Sequence, residues 1–576
     1  MSTPASIVAV LLVTVATLVI GAYGLRMART TSDFYVASRT VSPAWNASAI
    51  SGEYLSAASF LGVAGLILAY GVDMLWYPVG YTAGYLILLL FVAAPLRRSG
   101  AYTLPDFAEA RLSSIPVRRI SSVLVVVIGW LYLVPQLQGA SLTLHTVTGA
   151  PPWAGSLIVA IVVLTNVLAG GMRSITFVQA FQYWTKVTAL LVPLVVVLLH
   201  WQASGGPTPA GTAFPTTREP IQVQLATGTS VQAPASAQVV VHGSLDGADV
   251  NGPVTLTAGT HYLGAGATVL LPAGTVVPQG LGASTVHNSA WLRPLQGGPG
   301  TDHPLYATYS LMLATFLGTM GLPHVLVRFY TNPDGRSARR ATVAVLVLLS
   351  GFYLLPTVYG VLARVYTPDL LLTGRTDAAV LLLPARVIPG PLGQLLSALV
   401  TAGAFAAFLS TSSGLTVSVS GVLAQDVLRR VASVRAFRWA SVVAVTIPYL
   451  ISVAAYRLPV ADAVGLAFAV AASSFCPLLL LGIWWRRLTD VGAATGLVVG
   501  GGLAALAVLT TILTHPTSGW TAALLTQPAA WCVPLAFTVM VATSYATRRR
   551  LPEGTGRALA RMHTPESLSL RPDPTA

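Results

Sequence analysis

Apolar segments of about twenty residues recur along the whole chain, and this feature restricts the fold more than any other. Residues 6–25 alone are long enough to cross about 30 Å of hydrocarbon as a helix. Of the 576 residues, 54% are hydrophobic and only 9% are charged, which is too little charge to cover a soluble protein of this size. The sequence therefore predicts an all-α polytopic membrane protein with about thirteen transmembrane helices.

The distribution of basic residues predicts how the spans are oriented across the membrane. The formal net charge is +14, but the arginines concentrate in alternate loops instead of on one soluble face, which argues against nucleic-acid binding. Because arginine-rich loops stay in the cytoplasm, the pattern predicts an external N-terminus and a cytoplasmic C-terminus. The loops counted as cytoplasmic hold Arg26, Arg29, Arg39, Arg97, Arg98, Arg111, Arg118, Arg119, Arg173, Arg328, Arg336, Arg339, Arg340, Arg429, Arg430, Arg435, Arg438, Arg486 and Arg487.

Residues 202–305 interrupt the spans with a polar insert. Short β-branched stretches and the turn pairs Asp246-Gly247 and Asn251-Gly252 predict β-hairpins in a small external cap, although a disordered linker fits the composition nearly as well. The polar residues 551–576 predict a disordered cytoplasmic tail. The remaining predicted units are an extra N-terminal span with its loop (1–42), two repeats (43–201 and 306–485) and two C-terminal spans (486–550).

Two spans carry interruptions at membrane depth. Gly52 and Glu53 lie within the second span, and Gly318, Gly321 and Pro323 lie within the seventh. Because these spans are five apart once the N-terminal one is set aside, they predict a five-plus-five inverted repeat with two broken helices. Carbonyls freed at such breaks can coordinate a cation, and helix N-termini attract a carboxylate. Glycine and proline are also common in ordinary membrane helices, which is the competing interpretation.

The ninth span carries a cluster of hydroxyl side chains, from Ser410 to Ser413 and at Thr416, Ser418 and Ser420. Such oxygens suit a small hard cation or close packing between helices. Longer motifs lie at residues 33–39, 52–62, 318–334, 404–413, 425–428 and 473–493. By these motifs the chain resembles the sodium:solute symporter family, and within it the cation/acetate symporter branch. The resemblance covers nearly everything except the insert and the tail.

This resemblance implies a sodium site between the first break and the hydroxyl cluster. The implied ligands are the hydroxyls of Ser410 and Thr411 and the carbonyl oxygens of Ala407, Gly52 and Leu55. The chain departs from many members of the family by carrying Gln179 where they carry an acidic residue, as the acetate branch also does. Whether a second ion site or proton relay exists at that position is therefore left open.

A short carboxylate needs a small pocket with few hydrogen-bonding partners, and the residues around the two breaks meet that description. The predicted substrate-binding residues are Ser56, Ser59, Gln136, Thr319 and Gly321, with Gln138 as a further candidate.

Two charges fall inside predicted spans. Placing the carboxylate of Glu53 in the middle of the membrane costs free energy. Glu53 is therefore predicted either to take part in ion coupling or to be a buried acid bonded to helix-end N–H groups. Lys186, the only lysine of the chain, is predicted to extend its ammonium to the membrane interface. His324 and Asp426 lie near the ends of their spans and are assigned no functional role.

Together these features predict a transporter of a bacterial-type plasma membrane that imports a short monocarboxylate such as acetate with Na⁺ by alternating access, without a cofactor. Proton-coupled uptake of pyruvate or propionate is the main alternative, and transport of another small solute is a more distant one. An embedded enzyme is disfavoured because neither a His-Glu-x-x-His nor a Gly-x-Ser-x-Gly motif occurs. A fused signalling kinase is disfavoured because only about twenty-five residues follow the last predicted span.

Overall fold

The computed structural model describes residues 4–25, 41–209, 214–280, 287–295, 302–427, 434–454, 460–514, 516 and 518–566. Before the insert the helices are α1 (Pro4–Leu25), α2 (Pro43–Tyr54), α3 (Val63–Tyr70), α4 (Trp76–Ile87), α5 (Ala93–Ser99), α6 (Leu104–Leu112), α7 (Ile115–Thr148) and α8 (Pro152–Ala203). After the seven strands of the insert they are α9 (Asn288–Trp291), α10 (Pro304–Thr319), α11 (Pro323–Val327), α12 (Gly335–Tyr366), α13 (Leu370–Thr373), α14 (Ala379–Val387), α15 (Pro391–Val422), α16 (Val434–Ala454), α17 (Val460–Trp484), α18 (Asp490–Gly496), α19 (Gly502–Thr514), α20 (Gly519–Thr526), α21 (Ala529–Ala546) and α22 (Thr555–His563). Short π-helical or 3₁₀ turns occupy Ala58–Gly62, Gly71–Leu75, Leu88–Val92, Arg328–Thr331, Thr376–Ala378, Leu423–Val427, Leu497–Gly501 and Arg548–Arg550.

Twelve helical runs among the described residues are long and apolar enough to cross a membrane. Their polarity is inverted relative to a soluble protein: Leu354 and Leu513 are 68% and 71% exposed, whereas Ser410 and Thr411 are fully buried. The chain is therefore a multi-pass membrane protein. One of these runs, Ala58–Ser99, has 42 residues, which is long enough for two crossings, so the count of thirteen stays a prediction.

The centre of the bundle is built by α2, α7, α8, α15 and α17, with α1 packed on the outside of α8 and α15. Small residues let these helices approach closely. A Cβ added at Gly403 of α15 would lie 2.4 Å from the Cβ of Ala189 of α8, and one at Gly414 would lie 1.9 Å from the carboxylate of Glu53. These contacts bring the hydroxyl-rich part of α15 against the end of α2.

The insert forms a small antiparallel sheet with strands β1 (Ile221–Gln224), β2 (Thr229–Ala233), β3 (Ala237–Leu245), β4 (Ala248–Leu256), β5 (Gly259–Leu263), β6 (Thr268–Leu271) and β7 (Gln279–Gly280). The strand order is β1-β6-β3-β5-β2-β7, with β4 paired to β3. Alternate side chains of β3 face a small apolar core, to which Leu372 of α13 also contributes. The prediction of β-structure is confirmed, and the linker interpretation is wrong for these residues.

The two predicted turns of the insert have different outcomes. Asp246-Gly247 does connect β3 to β4, with positive φ angles of 51° and 85° at the two residues. Asn251-Gly252 is not a turn, because both residues lie inside β4 opposite His242 and Val241. The ladder continues through this pair because β3 offers a matching row of backbone partners from Ala237 to Leu245.

The predicted disorder of the tail is wrong for residues 555–566. Helix α22 buries Leu559 and Met562, which are three residues apart and therefore lie on one helix face. The carboxylate of Glu566 accepts the backbone N–H of Gly335 at 2.6 Å and pairs with Arg98 at 3.3 Å. The tail beyond Glu566, the predicted motif at 33–39 and Arg26, Arg29, Arg39, Arg429 and Arg430 lie outside the described residues.

Asp426 has a structural partner near the end of α15. Arg118, at the start of α7, pairs with Asp426 at 2.5 Å, with Asp106 of α6 at 2.9 Å and with Glu109. Ser122 also donates to the Asp426 carboxylate. This cluster ties α6, α7 and the π-helical turn after α15 together, so Asp426 is accounted for without a role in transport.

Candidate cation and substrate site

Helix α2 stops in the middle of the bundle. Its last residue is Tyr54, Leu55 leaves the helical region with φ −74° and ψ 88°, and helical structure resumes at Ala57. Gly52 precedes this interruption because α8 crosses there: a Cβ on Gly52 would lie 2.2 Å from the carbonyl oxygen of Gln179. The interruption leaves the carbonyl oxygens of the last turn without helical partners, so they are available to other groups.

Lys186 of α8 supplies that partner. Its Nζ donates to the carbonyl oxygen of Gly52, to that of Leu55 at 2.7 Å and to the Oγ of Ser410 at 2.6 Å. An ammonium has three N–H donors, and here each has an acceptor. The side chain is fully buried, so the prediction that Lys186 reaches the membrane interface is wrong. Gly52 brings α8 close enough for the lysine to meet these oxygens instead of water.

The five residues named as sodium ligands do converge, but partly by bonding to one another. The Ser410 hydroxyl donates to the Gly52 carbonyl at 2.7 Å and lies 3.0 Å from that of Ala407. The Thr411 hydroxyl donates to the carbonyl of Glu53 at 2.6 Å. The oxygens of Gly52, Leu55 and Ser410 are thus shared with the ammonium of Lys186.

A sodium ion does not fit this arrangement while Lys186 is charged. The ion would need the same three oxygens. It would therefore lie within about 4 Å of a second positive charge, where two unit charges repel by about 4 kcal/mol even at an effective dielectric constant of about 20. These three oxygens suit a monovalent cation, and in this structure the cation that they hold is the ammonium of Lys186.

Glu53 forms a second charged group beside the first. Its carboxylate accepts from the Nε of Arg328 at 2.6 Å, and both side chains are 1% exposed. Arg328 also donates to Thr176 at 2.7 Å and to the side-chain oxygen of Gln179. The position of Arg328 corrects its assignment to a cytoplasmic loop. Glu53 is a buried acid, but its partner is an arginine instead of helix-end N–H groups.

Gln179 connects the two charged groups. Its side-chain nitrogen donates to the Ser410 carbonyl at 2.8 Å, while its oxygen accepts from Arg328. A carboxylate at this position could not donate to a carbonyl oxygen. The glutamine is therefore suited to a site in which Glu53 already balances Arg328.

The second interruption lies between α10 and α11. Helix α10 ends at Thr319 and α11 begins at Pro323. A Cβ on Gly321 would lie 2.4 Å from the carbonyl oxygen of Ala471 in α17, so the turn is pressed against that helix. The Thr319 hydroxyl is 2.8 Å from the hydroxyl of Tyr54, the last residue of α2, which places the two interruptions in direct contact.

The other predicted substrate residues lie on the resumed part of the first interrupted span and on α7. Ser59 is 2.9 Å from the Tyr353 hydroxyl, and Gln136 accepts the backbone N–H of Ala57 at 2.8 Å. Ser56 and Gln136 are fully buried and Ser59 is 2% exposed. Gln136 therefore holds the backbone at the interruption, while the Thr319 hydroxyl meets Tyr54 and the Ser59 hydroxyl meets Tyr353.

Between these residues lies an aromatic cluster that the sequence analysis did not identify. Tyr54 and Tyr85 pack edge to face at 4.8 Å, Tyr81 lies 4.8 Å from Phe468, and Tyr132 lies 5.1 Å from His324. His324 is fully buried, and neither of its ring nitrogens has a hydrogen-bond partner among the described residues. No periodic pattern in the sequence marks this cluster, because its members come from five separate segments.

Comparison with known proteins agrees with this architecture. The family profile described as "Sodium:solute symporter family" matches residues 34–242 and 269–500. The "Monocarboxylic acid transporter" of Corynebacterium glutamicum is 30% identical over 544 residues, covering 89% of this chain and 86% of that protein. The "Uncharacterized symporter YwcA" of Bacillus subtilis (strain 168) is 30% identical over 495 residues, covering 84% and 82%.

A solved structure reproduces the fold at low sequence identity. A Na⁺-coupled sialic acid symporter in a substrate-bound outward-open state superposes with a TM-score of 0.63 at 13% identity, covering 94% of this chain and 98% of that one. At this identity the likeness establishes the arrangement of the helices only.

Proposed function

The chain belongs to the sodium:solute symporter family, and from this premise we propose that it imports a short monocarboxylate such as acetate together with a cation, by alternating access. Members of this family and the related proteins are symporters, so the chain is a transporter and not an enzyme. The observation that carries the substrate proposal is the pair of buried hydroxyls within the aromatic cluster, with Thr319 against Tyr54 and Ser59 against Tyr353. We propose that the substrate chamber lies between these hydroxyls.

The chemistry of this chamber supports a small anion. A sugar needs many donors and acceptors, whereas a monocarboxylate needs two or three donors and an apolar contact for its short chain. His324, with both ring nitrogens unpartnered among the described residues, adds a donor to this region, although its place near the end of a span predicted no functional role. The name of the corynebacterial relative, a monocarboxylic acid transporter, supports the same class of substrate.

The coupling cation has two candidates. Sodium is the cation of the family name and of the related sialic acid symporter, and the sodium site predicted from Gly52, Leu55, Ala407, Ser410 and Thr411 stays a prediction. Proton coupling is the second candidate, and one observation favours it: the amine of Lys186 lies among three of those oxygens.

The proposed architecture places the two interruptions in equivalent positions of an inverted repeat formed by residues 43–201 and 306–485. The contact between Tyr54 and Thr319 supports this pairing, because the ends of the two interrupted helices then enclose one site. The arginine distribution supports an external N-terminus, an external insert and a cytoplasmic C-terminus in the plasma membrane.

Substitution of the chamber hydroxyls tests the substrate site. Thr319→Leu and Ser59→Leu each replace a hydroxyl by a larger apolar group, beside Tyr54 and Tyr353 respectively, so we expect the KM for acetate to rise about tenfold or more. Thr510→Leu and Ser350→Leu are matched controls, because these hydroxyls are exposed on the helix surface and bond only within their own helices. The measurement is initial uptake of labelled acetate by proteoliposomes, with propionate, pyruvate, glycolate and glucose as competitors. Unchanged KM in both chamber variants, or competition by glucose alone, would disprove the placement.

A further inference from the structure

The ammonium of Lys186 occupies the position at which the family would hold a sodium ion, and we propose that it is a tethered replacement for that ion, so that this chain neither binds nor requires sodium at this site. The inference deepens the proposed function, on which it rests for the transport readout. It depends on a disagreement between the family's coupling ion and the residues that are present.

The match between the amine and its surroundings is complete. Three N–H donors meet three oxygens that come from two elements, the carbonyls of Gly52 and Leu55 at the end of α2 and the hydroxyl of Ser410 on α15. A bound cation at this place joins the interrupted helix to α15. Lys186 makes the same connection from α8, covalently attached, and therefore at a local concentration that no free ion equals.

The charges around Lys186 also favour one cation and no more. Glu53 follows Gly52 directly, but its carboxylate is already bonded to Arg328. Helices α1 and α15, which both pack on α8, carry no charged residue at all. Tyr359 of α12 faces α8, where its hydroxyl donates to the Leu190 carbonyl, and Tyr132 is the titratable group of the middle of α7. The other charged or titratable side chains of elements packed on α8 are Tyr23 of α1, Tyr54 of α2, Arg118, Arg119 and His145 of α7, Arg336, Arg339, Arg340, Tyr353, Arg364 and Tyr366 of α12, Arg386 of α14, and Arg435, Arg438 and Tyr449 of α16.

No second acid in this set balances an added sodium ion. Glu53 and Arg328 cancel, which leaves the single positive charge of Lys186 next to the chamber. An incoming monocarboxylate neutralises that charge, whereas a sodium ion would double it. The replacement is therefore compatible with an anionic substrate and incompatible with a further cation at the same oxygens.

Removing the amine should recreate a sodium site. Lys186→Ala frees the three oxygens and leaves space, whereas Lys186→Met removes the charge but keeps the space filled. We compare thermal unfolding of the purified full-length protein in sodium chloride and in choline chloride at equal ionic strength. We expect no sodium effect for wild type or Lys186→Met. For Lys186→Ala, sodium at a hundred times its dissociation constant should lower the unfolding equilibrium constant by about 100-fold.

The second measurement is uptake of labelled acetate by wild-type proteoliposomes with sodium fully replaced by choline. The proposal expects the same initial rate in both salts. Stabilisation of wild type by sodium, a sodium requirement for its uptake, or a sodium response of Lys186→Ala no larger than that of Lys186→Met would overturn it. If Lys186→Ala does not fold, the wild-type measurements decide alone. If no monocarboxylate is transported, the proposed function is wrong, while the thermal comparison still decides the role of Lys186.

Discussion

Replacement of Arg328 by glutamine should abolish transport and lower the free energy of unfolding by about 3–5 kcal/mol. Arg328 and Glu53 are both 1% exposed and are bonded at 2.6 Å, so removing the guanidinium leaves a carboxylate buried without its partner. The same substitution also removes the donors to Thr176 and Gln179, and with them the link between the two interrupted segments and α8.

Thermal unfolding in detergent and acetate uptake would both be measured. Arg340→Gln is the matched control, because Arg340 is exposed at the start of α12. The double variant Glu53→Gln/Arg328→Gln should recover part of the lost stability, since it removes the uncompensated charge. If Arg328→Gln were no more harmful than Arg340→Gln, the pair would have no energetic importance.

Gly52→Ala should be nearly as damaging for a different reason. The added Cβ would lie 2.2 Å from the Gln179 carbonyl oxygen, so α2 and α8 must separate. Overpacking of this kind costs about 1–3 kcal/mol. The separation would also withdraw the Gly52 carbonyl from Lys186, and we expect uptake to fall at least about a hundredfold, as misplacement by about 1 Å does elsewhere.

Gly351→Ala is the control for this substitution. Gly351 lies in α12, and an added Cβ meets nothing within 4 Å. The change in stability should therefore reflect only the higher helix propensity of alanine. We expect it to be neutral or stabilising by up to about 1 kcal/mol, with normal uptake. Equal uptake in Gly52→Ala and Gly351→Ala would contradict the close packing of α2 on α8.

The sequence predicted the type of fold and the neighbourhood of the site because both depend on local composition. Apolar length identifies membrane spans, and Gly52 and Gly321 mark the interruptions whatever their partners are. The hairpin at Asp246-Gly247 was predicted correctly from the residue types that turns prefer. The turn predicted at Asn251-Gly252 was wrong, because pairing with β3 holds these two residues inside a strand. The tail helix was missed because its apolar face is only two residues, Leu559 and Met562.

The charged centre of the site could not be predicted because it joins distant parts of the chain. Lys186 and Gly52 are 134 residues apart, and Arg328 and Glu53 are 275 apart. General rules placed both basic side chains at the membrane surface. Lys186 was expected to extend its ammonium to the interface, and Arg328 was counted in a cytoplasmic loop. Both rules assume that no acceptor lies within reach inside the bundle. Here the interruption of α2 supplies carbonyl oxygens, and Glu53 supplies a carboxylate.

Accumulation of a monocarboxylate against its gradient is the most direct test of the central claim, that the two interruptions enclose a site for cation-coupled monocarboxylate uptake. Proteoliposomes would be given inward sodium or proton gradients, with Gly52→Ala proteoliposomes subtracted to correct for passive entry of acetic acid. We expect saturable accumulation of labelled acetate above the external concentration under at least one gradient. Accumulation equal to that of the Gly52→Ala control under both gradients would contradict the account.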